Sequence, residues 1–165
     1  MAATEVFKMN NPNSTCTAAA LTWSYMLLSG SAKPRADLFL PRDPTLARNM
    51  ENIKDDDGNP ERQVALMQLE PVKKNMGPAS ISSSEIAELF KNNAPHVGIF
   101  WNSFHTVGYS YGHLDKQYFD NNVGLYRANH TKDIVAKMDE IRKANGYGNW
   151  AGYIVCKLKP RLKLT

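Results

Sequence analysis

A stretch of small and apolar residues near the start of the chain, Asn13-Ser14-Thr15-Cys16-Thr17-Ala18-Ala19-Ala20-Leu21-Thr22-Trp23, sets the tightest limit on the fold. Ser, Thr and Asn favour a helix N-cap. The run from Ala18 to Leu28 carries no Gly or Pro. The spacing predicts a helix that starts at Cys16, ends near Ser29-Gly30, and lines up Ala19, Ala20, Trp23 and Leu27 on one face. A thiol in the first turn sees the positive end of the helix dipole, which favours the thiolate. A lone Cys on such a helix is more often a small core residue. The reading of Cys16 therefore depends on whether the rest of the chain supplies a base and a group to orient it.

Residues 1–12 read as irregular, ending in Asn10-Asn11-Pro12. Residues 30–43, with Gly30, Pro34 and Pro41, read as loop. A second helix is expected from Asp43-Pro44 to about Ile53. Asp55-Asp56-Asp57-Gly58-Asn59-Pro60 is an acidic turn; it lacks the alternation and closing Glu of a calcium loop. A third helix is expected from Pro60 to Lys74, and a fourth from Ser82-Ser83-Ser84-Glu85 to about Asn93.

After Pro95 the texture changes to short strands: Val97–Trp101, His105–Tyr111 and Gln117–Asp120, with Val123–Arg127 as an extension of the last. A turn at Gly112-His113-Leu114-Asp115 joins the second and third. Thr131-Lys132-Asp133 should cap a helix running from Ile134 to Ala144. Gly152–Leu158 closes as a strand with Ile154, Cys156 and Leu158 on one face, so Cys156 reads as core. Trp23 and Trp101 also read as core. Helices first, then an antiparallel meander, a late helix and a last strand make an α+β domain spanning 1–165.

The chain's 165 residues suffice for one core. A net charge of +4 is too small to argue for nucleic acid. The basic C-terminal residues Lys157, Lys159, Arg161 and Lys163 read as a solvated tail. Two cysteines make neither a disulfide framework nor a zinc cluster. No metal or cofactor is expected. The apolar runs are too short for a transmembrane segment, and the N-terminus lacks a signal-peptide pattern.

His105 opens one strand of a hairpin and Asp120 closes the next. Neighbouring antiparallel strands lie about 5 Å apart, so the two can meet across the ladder. The carboxylate would fix the imidazole tautomer and leave the other ring nitrogen for a thiol. Cys, His and Asp in that arrangement are what thiol-based acyl transfer requires. His96, His113 and His130 fall in turns or at element ends with no acidic partner at a comparable offset.

Two blocks carry a likeness to a known family. Asn13–Trp23 resembles the nucleophile helix of YopT-type cysteine proteases, in which Cys is followed by small residues, a Leu and a Trp. His105–Ala128 resembles the family's second block, where a His opens a strand and a Tyr-Phe-Phe-Asp-Pro-Asn-hydrophobic-Gly segment carries the Asp. Here that segment is Tyr118-Phe119-Asp120-Asn121-Asn122-Val123-Gly124. The family's Pro is replaced by Asn121, and residues 30–95 match nothing in it.

The resemblance implies a papain-like fold with the nucleophile helix packed on a C-terminal antiparallel sheet. It implies Cys16 as nucleophile, His105 as general base and Asp120 as orienting group. It implies Asn11, with Asn13 as second choice, as the side-chain oxyanion donor beside the Cys16 backbone N–H. It further implies a bacterial effector or toxin, made in the bacterial cytoplasm and secreted without a cleaved signal peptide, that cleaves a protein in a host or competitor cell. Fewer than twenty residues precede Cys16, which favours a type VI route over type III export. An immunity protein or chaperone is a candidate partner. The same triad serves deamidases and transglutaminases acting on protein Gln or Asn, and a non-catalytic binding module is the third reading.

Overall fold

In the central strands the apolar residues alternate between two cores, one on each face of a single sheet. The computed structural model describes residues 3–8, 16–30, 60–75, 80–91, 95–102, 105–112 and 115–160. Within these, the strands are β1 (Thr4–Lys8), β2 (Leu69–Asn75), β3 (His96–Trp101), β4 (Thr106–Tyr111), β5 (Lys116–Asp120), β6 (Gly124–Ala128) and β7 (Gly152–Leu158). The helices are α1 (Cys16–Leu28), α2 (Glu61–Leu66), α3 (Ser83–Leu89) and α4 (Thr131–Ala144). The seven strands form one sheet in the order β1-β6-β5-β4-β3-β7-β2. All neighbours are antiparallel.

Successive residues of a strand point to opposite faces. Ile99, Trp101, Phe119, Leu125 and Ile154 therefore pack on one side with Ala19, Leu21 and Trp23 of α1. Phe100, Val107, Tyr109, Tyr118 and Tyr153 pack on the other with Phe90, Ile134 and Met138. With helices on both faces, the central strands are buried on both sides, and the fold is α+β.

The α1 face with Ala19, Ala20, Trp23 and Leu27 packs on one core, and burial extends beyond it. Cys16 to Leu21, Trp23, Ser24 and Met26 are all buried. Its polar residues bond within the helix: Ser24 Oγ donates to the Ala20 carbonyl at 2.8 Å and Thr22 Oγ1 to that of Ala18 at 2.7 Å. Trp23 stacks on Phe119 with ring centroids 5.3 Å apart. It lies over Gly108 of β4, where an added Cβ would stand 2.8 Å from the indole. That glycine lets α1 sit directly on the sheet.

Three elements differ from the sequence expectation. Residues 4–8, read as irregular, form β1 on the edge of β6. The helix expected over 60–74 ends at Leu66. Gln68 takes a left-handed φ of 60° and the chain turns into β2 along β7. Sheet pairing overrides helical propensity there, and Pro71 is tolerated because β2 is an edge strand with an irregularity beside it. The stretch 124–128 is a strand of its own, β6, rather than an extension of β5. Its first residue, Gly124, has φ 143°, and a Cβ there would run into the Phe7 carbonyl.

The start of α3 is as the sequence suggests, with Ser82 Oγ accepting the Glu85 N–H at 3.2 Å. The cap of α4 is not. His130 holds the N-cap position without a side-chain bond, and the Thr131 hydroxyl turns to the Phe90 carbonyl instead. The loop from residue 31, the helix expected over Pro44–Ile53, the acidic turn at 55–59 and the turn at His113 and Leu114 lie outside the described residues.

Candidate active site

Helix α1 begins at Cys16, so its first residue lies at the edge of the helix–sheet interface, with a relative exposure of 7%. One residue on, Thr17 Oγ1 meets Thr106 Oγ1 of β4 at 2.7 Å, both fully buried. This bond joins the start of α1 to the start of the strand that follows His105.

His105 is held before it enters β4. The connection from β3 closes as Asn102 N–H donates to the His105 carbonyl at 3.0 Å. The Asn102 side-chain oxygen accepts the His105 N–H at 2.9 Å. The Asn102 amide nitrogen then donates to the carbonyls of Tyr147 and Asn149, at 2.6 and 3.3 Å. One buried side chain thus fixes the histidine backbone and the segment between α4 and β7.

Asp120 ends β5, at the same end of the β4–β5 ladder as His105. It is fully buried. Its Oδ1 lies 2.9 Å from His105 Nε2 and accepts the Asn122 backbone N–H at 2.9 Å. Its Oδ2 accepts the hydroxyls of Tyr118 and Tyr147, each at 3.0 Å. A carboxylate removed from water needs such donors, and a cation nearby, to stay ionised. Among the described residues that cation is the His105 ring.

The Tyr147 ring lies on the imidazole, with centroids 4.1 Å apart and planes 28° from parallel. Trp150 adds a second aromatic wall at 6.4 Å. Gly146 and Gly148, both left-handed at φ 66° and 76°, flank Tyr147 and turn it inward.

Cys16 lies close enough to the His105 ring for its side chain to act on it. With Nε2 facing Asp120, Nδ1 is the nitrogen left for the sulfur. Burial on its own would lower the imidazole's pKa. The hydrogen bond to Asp120, then that to Cys16, and the negative charge of both outweigh it and raise the value from 6.5 to about 9. The Tyr147 and Tyr118 hydroxyls are pushed above their usual range, first by burial and next by the Asp120 charge, and so remain donors. Cys156 differs from Cys16: burial alone pushes its thiol up to about 12, as suits a core residue.

The structure brings His105 and Asp120 into direct contact, with Cys16 close enough to influence the ring; a thiol, an imidazole and a carboxylate so arranged can pass a proton from sulfur to ring. Asn11 and Asn13 lie outside the described residues. His96 packs against Tyr111 at 5.6 Å, away from this group, and His130 precedes α4. Trp23 and Trp101 are core, at 0% and 2% exposure. Among the described residues, no group of three or more His, Cys, Asp or Glu is placed to hold a metal ion. No helix among them is long and apolar enough to cross a membrane.

Sequence reasoning missed Tyr118, Tyr147, Asn102 and the Thr17–Thr106 pair. Tyr118 was within reach, since it stands two residues before Asp120 and so shares its face of β5. Tyr147 stands between two glycines after the last helix, where nothing in the local sequence marks it.

No protein-family profile matches the sequence, and no curated protein matches it either. Among solved structures, the chain is similar to the Pseudomonas avirulence protein AvrPphB, with a TM-score of 0.58 and 13% identity, over 96% of this chain and 97% of that one. It is also similar to PatoxP, a cysteine protease-like domain of the Photorhabdus asymbiotica toxin PaTox, with a TM-score of 0.48 and 14% identity, over 92% of this chain and 54% of that one. The chain thus spans about half the length of the PatoxP chain. At 13% identity the first likeness is one of fold, and the fold is papain-like: the Cys16 helix packs on an antiparallel sheet.

Proposed function

We propose that the chain is a papain-like cysteine peptidase, with residues 1–165 as one catalytic unit, that cleaves a protein of a host or competitor cell. Cys16 is the nucleophile, His105 the general acid and base, and Asp120 the group that orients the ring. The observation that carries this reading is the His105 imidazole, held 2.9 Å from the fully buried Asp120 carboxylate with Cys16 close enough to act on its charge.

The resting state is a thiolate beside an imidazolium. A histidine raised to about 9 is charged at neutral pH, and its charge favours ionised sulfur next to it. The sulfur attacks the peptide carbonyl. The oxyanion that forms is met by the Cys16 backbone N–H at the start of α1 and by the side-chain amide of Asn11 or, failing that, Asn13. His105 gives its proton to the leaving amine. The neutral imidazole then takes a proton from water, which attacks the thioester and frees the acid product, and the thiolate–imidazolium pair is restored. Asp120 keeps Nε2 protonated throughout and leaves Nδ1 facing the sulfur.

An effector or toxin role draws support from the avirulence protein that shares the fold. In that setting the protein is exported, by a type VI or other route, and an immunity protein or chaperone is its natural partner in the producing cell.

The test is proteomic. Purified protein, wild type or Cys16→Ala, is incubated with a target-cell lysate, and new N-termini are mapped. The peptidase reading expects new termini with the wild type and none with Cys16→Ala. A side-chain mass gain of about 1 Da or a new isopeptide bond, with no new termini, would replace it with amide hydrolysis or transfer on Gln or Asn.

A further inference from the structure

Between α4 and β7 the chain makes a short excursion that contributes nothing to either core layer except through Tyr147 and Trp150. The excursion is nevertheless tied down at several points. Arg142 Nη1 donates to the Gly148 carbonyl and to the Asn149 side chain, at 3.2 and 3.3 Å. The Asn102 amide holds the Tyr147 and Asn149 carbonyls. The Tyr147 N–H donates to the Arg142 carbonyl at 3.1 Å. Two left-handed glycines, each with open space where a Cβ would stand, bracket the tyrosine. Their role is conformational rather than steric: φ above zero on both sides swings Tyr147 towards the site.

What it reaches is specific. The ring covers one face of the His105 imidazole at 4.1 Å, and the hydroxyl of the same side chain donates to Asp120 Oδ2 at 3.0 Å. Tyr118 also donates to Asp120, but it has no ring contact with His105. Trp150 stacks with His105 at a longer 6.4 Å and has no bond to the carboxylate. Among the described residues, Tyr147 alone makes both contacts.

We propose that Tyr147 is a positioning residue, which fixes the plane of the His105 ring and the orientation of the Asp120 carboxylate together and so holds the pair in line with Cys16. The proposal rests on the peptidase reading only for its consequence in catalysis; the clamp itself is a property of the His105–Asp120 pair. A carboxylate with two oxygens has two ways to lose the ring: it can rotate, or the imidazole can tilt away. The hydroxyl opposes the first, and the stacked ring opposes the second.

The test uses the full chain as wild type, Tyr147→Phe and Tyr147→Leu, with two readouts that need no substrate. The first is the NMR resonance of the His105 Nε2–H and its exchange with water. The second is the pH at which alkylation of Cys16 by iodoacetamide reaches half its plateau, followed by mass mapping of the Cys16 peptide. That midpoint is set by thiolate formation and is insensitive to how easily the reagent enters.

The clamp predicts a protected Nε2–H in the wild type, faster exchange in Tyr147→Phe, and loss of the signal in Tyr147→Leu. It predicts an alkylation midpoint raised by at least about half a pH unit in Tyr147→Leu, with Tyr147→Phe between that and the wild type. If both variants keep the wild-type exchange rate and midpoint, Tyr147 is packing only and the proposal is overturned. Should Tyr147→Leu fail to fold, Tyr147→Phe decides: unchanged Nε2–H exchange overturns the proposal and faster exchange supports it. A wild-type midpoint at ordinary thiol values would sink the peptidase reading instead, and the Nε2–H signal would still decide the role of Tyr147.

Discussion

Thr17 Oγ1 and Thr106 Oγ1 lie 2.7 Å apart in the dry interface between α1 and β4, each one residue beyond a member of the Cys16–His105 pair. The bond therefore sets the distance between the two elements that carry sulfur and imidazole. Removing one hydroxyl orphans the other, so Thr17→Val and Thr106→Val should each cost about 1–3 kcal/mol. Replacing both removes the orphan, and the double variant should be less destabilised than the sum of the singles. Denaturant unfolding of the four proteins measures the cycle. Simple additivity would show that the two hydroxyls do not act as a pair.

Gly108 predicts a second coupling between packing and chemistry. A Cβ there would meet the Trp23 ring at 2.8 Å, and Trp23 cannot retreat because it is itself stacked on Phe119. Gly108→Ala should cost about 1–3 kcal/mol through overpacking. It should also lift the start of α1 from β4, lowering activity more than stability. Trp23→Ala, with native Gly108, should open a cavity, at roughly 3–5 kcal/mol. Thermal unfolding and peptidase rates on the same samples test both. An active, fully stable Gly108→Ala would show that the interface has slack.

Much of this was legible in the sequence because the signals are local. The start of α1 follows from a polar run before a Gly- and Pro-free apolar one, and the strands β3, β4, β5 and β7 follow from short apolar segments between turns. His105 and Asp120 could be paired because one hairpin fixes their offset. β1 and β2 could not be read, since both are edge strands whose residues are mostly exposed and carry no apolar period. Their pairing with β6 and β7 is decided by partners far away in the chain, such as Arg127 for Thr4 and Leu158 for Leu69. Tyr147 was hidden for the same reason: nothing within the 146–148 stretch signals that its side chain crosses to a histidine in another element. The α1 face with Ala19, Ala20, Trp23 and Leu27 packs on one core as its spacing suggests, but burial extends beyond that face, which periodicity alone does not signal.

The pH dependence of stability follows from His105. Its value rises from 6.5 unfolded to about 9 folded, so the folded state holds the extra proton between those values. The stabilisation is complete below pH 6.5 and is lost as pH rises through about 9. Cys16 is itself a cause of that rise, so Cys16→Ala isolates the part owed to the Asp120 bond and charge. The unfolding free energy of that variant should fall with pH above 6.5, by no more than about 1.4 kcal/mol per unit. The slope should flatten in Cys16→Ala/Asp120→Asn. Cys156, whose folded thiol is also raised, adds a fall of the same sign only above about 9. A flat profile for Cys16→Ala between 6.5 and 8 would show that Asp120 alone does not raise the imidazole.

The last prediction separates the three roles at the site. Cys16→Ala swaps one small side chain for another in a nearly buried position and leaves the Thr17 bond in place. It should abolish turnover and leave the fold intact. Asp120→Ala is a poor probe, because it would orphan the Tyr118 and Tyr147 hydroxyls and the His105 ring at once. Asp120→Asn keeps the volume and one acceptor oxygen. Its amide can donate to Nε2, however, which places the ring proton on Nδ1, facing the sulfur, and so blocks proton uptake from it. The rate should fall by about 10²–10⁴ yet stay above the Cys16→Ala background, since nucleophile and oxyanion donors remain. His105→Ala should fall nearly as far as Cys16→Ala, and it should also lose stability, because the Asp120 charge is left buried without its cation. Cleavage kinetics, or growth of a susceptible cell expressing each variant, ranks the three. A Cys16→Ala protein as active or toxic as the wild type would end the peptidase reading and leave a binding module whose Cys, His and Asp serve only the fold.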